Sequence, residues 1–151
     1  MSTTQALTIV CLGASNTEGY GVAPGDSYPA RLAGLLAGQG LTFRVLNAGI
    51  SGDTTTGMRA RLDQEVPEGT LLVVFQPGIN DLHDMTRREA NIADIVSRLT
   101  QRRITVLMLD NAVIRGLPRE VQAYDGIHLT AAGYALLAET MLPKVLAAIG
   151  K

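Results

Sequence analysis

The chain has two histidines, and one of them, His128, stands three residues after a carboxylate in Asp125-Gly126-Ile127-His128. An imidazole can take the proton of a serine hydroxyl, and a carboxylate beside it fixes the ring tautomer and stabilises its charged form. A single short turn would deliver both. An Asp-x-x-His pair is a common chance occurrence, so its weight depends on what else the chain supplies.

Three further segments supply it. Gly13-Ala14-Ser15-Asn16-Thr17-Glu18-Gly19 follows the apolar run from Leu7 to Leu12. A strand ending in such a small-residue turn sets a serine at the carboxyl edge of a sheet, where open α/β folds keep their sites. It is not the G-x-S-x-G elbow, because Thr17 stands where the second glycine belongs. Asn47-Ala48-Gly49-Ile50-Ser51-Gly52-Asp53 follows the run Phe43 to Leu46, and its glycines let backbone N–H groups point into a site as oxyanion donors. Gly78-Ile79-Asn80-Asp81 follows Leu71 to Phe75, and an Asn there offers a neutral N–H₂ donor that does not titrate. Three strand ends, each with a different catalytic part, converge on one face.

Each residue also has a structural use. Ser15 suits a turn or a helix cap, Asn80 and Asp81 suit the cap of the helix after the third strand, and Gly52 suits a turn with Asp53 capping. His128 gains weight only from Asp125 and Ser15. His83-Asp84 with Asp81 has poor ligand spacing, so a solvated loop is expected and no metal. Arg87-Arg88 and Arg102-Arg103 read as solvated helix ends.

The four blocks resemble those of the GDSL-type, or SGNH, hydrolases, which centre on Ser, Gly, Asn and His and occur here in that order as Ser15, Gly52, Asn80 and His128. The resemblance extends from about Thr8 to the last helix. Ile50-Ser51-Gly52-Asp53-Thr54-Thr55 is similar to the bacterial esterase, thioesterase and lysophospholipase branch. It implies Ser15 as nucleophile, His128 as base and Asp125 as its partner. The Ser15 and Gly52 backbone N–H groups and the Asn80 side chain become the oxyanion hole. The implied activity is hydrolysis of short acyl or aryl carboxylic esters, and of thioesters, through an acyl-enzyme and without a cofactor. A carbohydrate deacetylase or acyltransferase with the same triad, and a non-catalytic binding module retaining the fold, remain the alternatives.

Two departures from the family stand out. Ala14 occupies the place between Gly13 and Ser15 where the family usually has Asp. Only Asp110 to Tyr124 separates the fourth strand from the Asp-x-x-His block, where relatives hold a further helix and a fifth strand. The chain therefore reads as a shortened member with an unpaired edge on its fourth strand. That edge is expected to be covered by the 110–124 segment folding back, or by a second copy in a two-fold dimer, so monomer and homodimer both stay open. Ile79, Leu82, Ile114 and Leu117 are the expected acyl-binding residues, together with Val22 and Val113.

Positioning these parts requires alternating strands and helices, and the apolar patterning provides them. Strands are expected at Leu7–Leu12, Thr42–Leu46, Leu71–Phe75 and Ile104–Leu109. Helices are expected at Tyr28–Ala37, Thr54–Leu62 and Arg87–Leu99, and from a Thr130 cap to about Ile149, with Pro143 set to kink or divide the last. Such alternation implies a parallel sheet covered on both faces. Family resemblance implies a three-layer α/β/α, flavodoxin-like sandwich with strand order 2-1-3-4 and no fifth strand.

Residues 1–151 have the size of one domain. A net charge of −1 and the absence of Trp give no footing for nucleic acid, and no apolar run reaches the about 20 residues of a membrane span. The expected partner is a small acyl ester. Cys11 is the one cysteine and reads as a buried small hydrophobe. The short polar start has no basic region before an apolar core, so a cytoplasmic protein is expected, or an exported one if a leader was removed.

Overall fold

The computed structural model describes residues 7–151. Strands β1 (Leu7–Gly13), β2 (Phe43–Gly49), β3 (Thr70–Phe75) and β4 (Thr105–Met108) form one parallel sheet in the order β2-β1-β3-β4. The helices are α1 (Ser15–Glu18), α2 (Tyr28–Gly38), α3 (Thr55–Ala60), α4 (Leu62–Glu65), α5 (Met85–Gln101), α6 (Asn111–Arg115) and α7 (Ala131–Ala148). Single 3-10 turns lie at Pro24–Asp26 and Arg119–Val121.

The continuous apolar runs of β1 and β3 reflect burial on both faces. Side chains alternate across a strand, so Ile9, Cys11, Leu72 and Val74 face one way while Val10, Leu12, Val73 and Phe75 face the other. The first set meets Tyr28, Leu32 and Leu36 of α2 and Tyr134, Leu137, Met141 and Val145 of α7. The second set meets Met58, Leu62, Ile95 and Leu99 from α3, α4 and α5. Two cores therefore flank the sheet in an α/β/α sandwich, and each fully buried Leu or Ile contributes roughly 1.5–3 kcal/mol. Cys11 lies within the first core, where burial pushes its thiol pKa up to about 12.

Boundaries differ from the expected ones where local chemistry intervenes. β2 continues to Gly49, so Asn47-Ala48-Gly49 is strand rather than turn, paired with Cys11-Leu12-Gly13 of β1. The expected Thr54–Leu62 helix divides at Arg61 into α3 and α4, with the Thr54 hydroxyl accepting from the Gly57 N–H at its start. α5 is capped by Asp84, which accepts from the Arg87 N–H, so neither Asn80 nor Asp81 caps it. Pro143 neither divides α7 nor ends it.

The 110–124 segment carries α6 and a 3-10 turn, which the patterning did not reveal. Among the described residues it makes no backbone hydrogen bond to β4. Its backbone hydrogen bonds run within itself and to residues 126–130, as in Ala123 to His128 (2.8 Å) and Thr130 to Val121 (3.0 Å). Among the described residues no fifth strand pairs with β4.

Because all four strands are parallel, their carboxyl ends meet at one edge, with Gly13 beside Gly49 and Phe75 beside both Leu12 and Met108. β1 is central, and the chain passes from it to β2 on one side and later to β3 on the other. The loop after β1 therefore opens at the point where the winding reverses, where such sheets form a crevice.

Candidate active site

Ser15 stands at that point, as the first residue of α1. Its turn is held from below by Gln76, the residue that follows β3. Gln76 Oε1 accepts from the Ala14 N–H (3.1 Å) and from the Thr17 hydroxyl (2.6 Å), and all three are buried. The approach is so close that a Cβ on Gly13 would lie 2.2 Å from Thr17 Oγ1, so no other residue fits there. Ala14 is buried in the second core, and a Cβ on Gly78 would lie 3.2 Å from the Ala14 Cβ.

His128 reaches Ser15 across the cleft, with Nε2 3.0 Å from Ser15 Oγ. Its Nδ1 bonds the Asp125 carboxylate, whose other oxygen accepts from the backbone N–H groups of Ile127 and His128, both at 2.9 Å. With the Nδ1 proton facing the carboxylate, Nε2 is left as the acceptor for the serine proton. The His128 ring and these two amides hold the Asp125 carboxyl well below the usual carboxylate range, so it stays anionic. The Tyr20 ring stacks on the imidazole at a centroid distance of 4.3 Å, covering one face of the base.

Neighbouring bonds join this turn to that of Ser15. Asn16 Nδ2 donates to the Ile127 carbonyl (3.2 Å), and the Tyr134 hydroxyl bonds Asn16 Oδ1 (3.3 Å) and the Tyr20 carbonyl (3.0 Å). Burial pushes the Tyr134 phenol up to about 12, so it remains a donor across the working range.

Opposite His128, the loops after β2 and β3 bring Gly52 and Asn80 to the same cleft. Gly52 adopts φ +82°, a left-handed conformation that side chains disfavour. Among the described residues, neither the Ser15 nor the Gly52 N–H donates to a protein acceptor. One Asn80 Nδ2 proton goes to the Asp53 carbonyl (2.8 Å), which leaves its second proton for a ligand. Arg61 fixes this side, donating to the Gly13 carbonyl (3.0 Å), the Ala48 carbonyl (2.9 Å) and the Asp53 carboxylate (2.8 Å). One guanidinium thus ties the ends of β1 and β2 to the Gly52 loop.

The cleft has a volume of about 280 Å³. Of the six residues expected to bind an acyl group, Ile79 alone lines it, and Val22 and Val113 pack against the first core. Leu82 is 48% exposed outside the lining, Ile114 is fully buried in the first core, and Leu117 packs against that core. The short α6 turns Ile114 inward because burial stabilises it, and Asn111 is the residue this segment sends to the cleft. His83 lies exposed before α5, and among the described residues no group of three His, Cys, Asp or Glu side chains could hold a metal ion. No described helix is long and apolar enough to cross a membrane.

Such a site can move a proton from a serine hydroxyl while two or three donors await negative charge opposite. Acyl hydrolases on a parallel α/β sandwich are built this way, and the chain belongs to the GDSL-like lipase/acylhydrolase family, whose model matches residues 11–124. That match ends just before Asp125 and His128, whose placement rests on the geometry above. Esterase TesA of Pseudomonas aeruginosa is 31% identical over 128 residues, which are 82% of this chain and 64% of that protein. The chain thus spans slightly under two thirds of that relative. A crystal structure of TesA superposes with a TM-score of 0.83 at 25% identity, covering 93% of this chain and 99% of that one. AlinE4, described as an SGNH-hydrolase family esterase, gives 0.64 at 27% identity, covering 99% of this chain and 75% of its own.

Proposed function

We propose that the protein is a serine esterase that cleaves short-chain carboxylic esters through an acyl-enzyme. One observation carries the reading: His128 is within hydrogen-bond reach of Ser15 Oγ on one ring nitrogen and of Asp125 on the other. Ser15 Oγ attacks the ester carbonyl carbon while its proton passes to His128 Nε2. The carbonyl oxygen becomes an oxyanion facing the Ser15 and Gly52 N–H groups and the free Asn80 proton. The intermediate collapses as His128 returns the proton to the departing alkoxide, leaving an acyl-serine. Water then gives its proton to His128, attacks the acyl carbon and releases the acid, and the serine recovers its proton.

The small cleft and its polar wall of Asn111, Gln76 and Asn80 favour acyl groups of a few carbons over long chains. A p-nitrophenyl ester series from acetate to decanoate tests this directly. Hydrolysis should be fastest at the short end, vanish in Ser15→Ala without loss of folding, and be blocked by a phosphonate that adds one equivalent at Ser15. Full activity in Ser15→Ala, or labelling elsewhere, would remove the assignment.

A further inference from the structure

The Asp125–His128 turn has a shape of its own but no place of its own. The bonds from Asp125 to the Ile127 and His128 amides, and from Gly126 N–H to the Ala123 carbonyl (3.0 Å), are internal to the turn and its approach. Asp125, Gly126 and Ile127 are exposed, and no buried side chain roots the turn before Leu129. Something outside must set its distance from Ser15.

We propose that Arg115, at the end of α6, is the positioning residue that sets it; the inference rests on the esterase reading above. Arg115 extends its guanidinium to the turn, where Nη1 donates to the Gly126 carbonyl and Nη2 to the Ile127 carbonyl (3.0 Å). The Ile127 carbonyl also receives Asn16 Nδ2, so it is the point where the base turn, the serine turn and α6 are joined. The planar fork meets two successive carbonyls at once, which a lysine ammonium does not reproduce. Arg115 forms no ion pair with Asp125, among the described residues, and so leaves that carboxylate facing His128. Its Nε is buried without a partner, so the hydrogen bonding that fixes this side chain comes from its two carbonyl contacts.

The arm has a firm base. Ile114 beside it is fully buried in the first core, and Gln122 Nε2 bonds both the Ile114 carbonyl (2.9 Å) and the Leu117 carbonyl (3.2 Å), closing α6 and its exit into a compact knot. The shortened 110–124 segment thus works as a bracket for the base, with Arg115 as its contact.

Amide hydrogen exchange tests this without requiring turnover, and kinetics test its consequence. In Arg115→Met, exchange at Ile127 and His128 should quicken by about tenfold or more, as expected for the loss of two hydrogen bonds, while the Thr55 amide stays unchanged. kcat on p-nitrophenyl acetate should fall about 10–100-fold with KM within about twofold, since misplacing a catalytic group acts on the chemical step. Arg115→Lys, the milder change, should recover only part of both. Unchanged exchange at Ile127 and His128 in both variants overturns the proposal, and so does an equal rise at Thr55, which would signal general loosening. If the unaltered protein hydrolyses no ester, the esterase reading falls, while the exchange rates still decide whether Arg115 holds the turn.

Discussion

The Asp81 carboxylate accepts both the backbone N–H and the hydroxyl of Thr55, a residue 26 positions earlier. Arg88 pairs with its other oxygen (2.7 Å), and Asn91 bonds the hydroxyls of Thr55 and Thr56. Asp81 follows Asn80, and Thr55 follows the Gly52-Asp53 loop closely. The network therefore gives Gly52 and Asn80 a common frame, and it holds the spacing between the two proposed oxyanion donors.

Breaking that frame should be costly. Asp81 is nearly buried with Arg88, and removing one partner of such a pair costs about 3 kcal/mol, so Asp81→Ala should lower Tm by about 6–12 °C. Burial acts to raise the Asp81 carboxyl, but the Thr55 hydroxyl, Arg88 and the Thr55 amide outweigh it and hold it below the ordinary range. A carboxyl depressed in the folded state stabilises above the unfolded pKa of about 3.9, and that stabilisation is lost as pH falls through the lower native value. Urea unfolding of the two proteins should differ fully at pH 7 and converge in strong acid. A difference that grows on acidification would contradict the network.

Asn80 itself should matter to rate and little to stability. It is exposed and makes one hydrogen bond, to the Asp53 carbonyl. Asn80→Ala should cost on the order of 10²–10³ in kcat with only a small change in Tm. Activity within threefold of the parent would rule it out as an oxyanion donor.

Gln76 should affect both. Gln76→Leu leaves the Ala14 N–H and the Thr17 hydroxyl buried without an acceptor, at roughly 1–3 kcal/mol each. Because these groups flank Ser15, phosphonate labelling should slow together with the loss in thermal stability. Lowered stability with an unchanged labelling rate would confine Gln76 to a packing role.

The Asp125 turn should survive mild acid. Its carboxyl is held well below the usual range, chiefly by the His128 ring and then by the His128 and Ile127 amides. A depressed carboxylate keeps its bonds until pH falls through the native value, so these amide resonances should hold their shifts through the ordinary carboxylate range near pH 4. Titration of both amides near pH 4 would mean that the turn is looser than described.

Much of the fold was legible because its physics is local. Runs such as Leu71–Phe75 signal strands buried on both faces, and the spacing of Ile92, Ile95, Val96 and Leu99 signals an amphipathic helix. Ser15, Gly52, Asn80, Asp125 and His128 were legible because each follows a strand or shares a short motif. Arg61, Gln76 and Arg115 were not, since their partners lie far along the chain or are backbone carbonyls, which carry no sequence signal. For Gln76 the one hint was a polar residue directly after an apolar strand. The acyl-binding expectation for Ile114 and Leu117 failed because apolar character does not distinguish a cleft wall from a core, and α6, which turns Ile114 inward, is too short to leave a periodicity.

The sheet divides the site as well as the interior. Asp125 and His128 hang from α6, Leu129 and α7, which belong to one core, while Gly52 and Asn80 are braced by α3 and α5, which belong to the other. Under the proposed mechanism, proton transfer and charge stabilisation would thus rest on different faces of the sheet. In evolutionary terms the two should then be able to drift on their own: substitutions behind α7 are expected to retune the base with little effect on the donors, and those behind α5 the reverse. A directed-evolution library split along the sheet would therefore search two small problems instead of one large one.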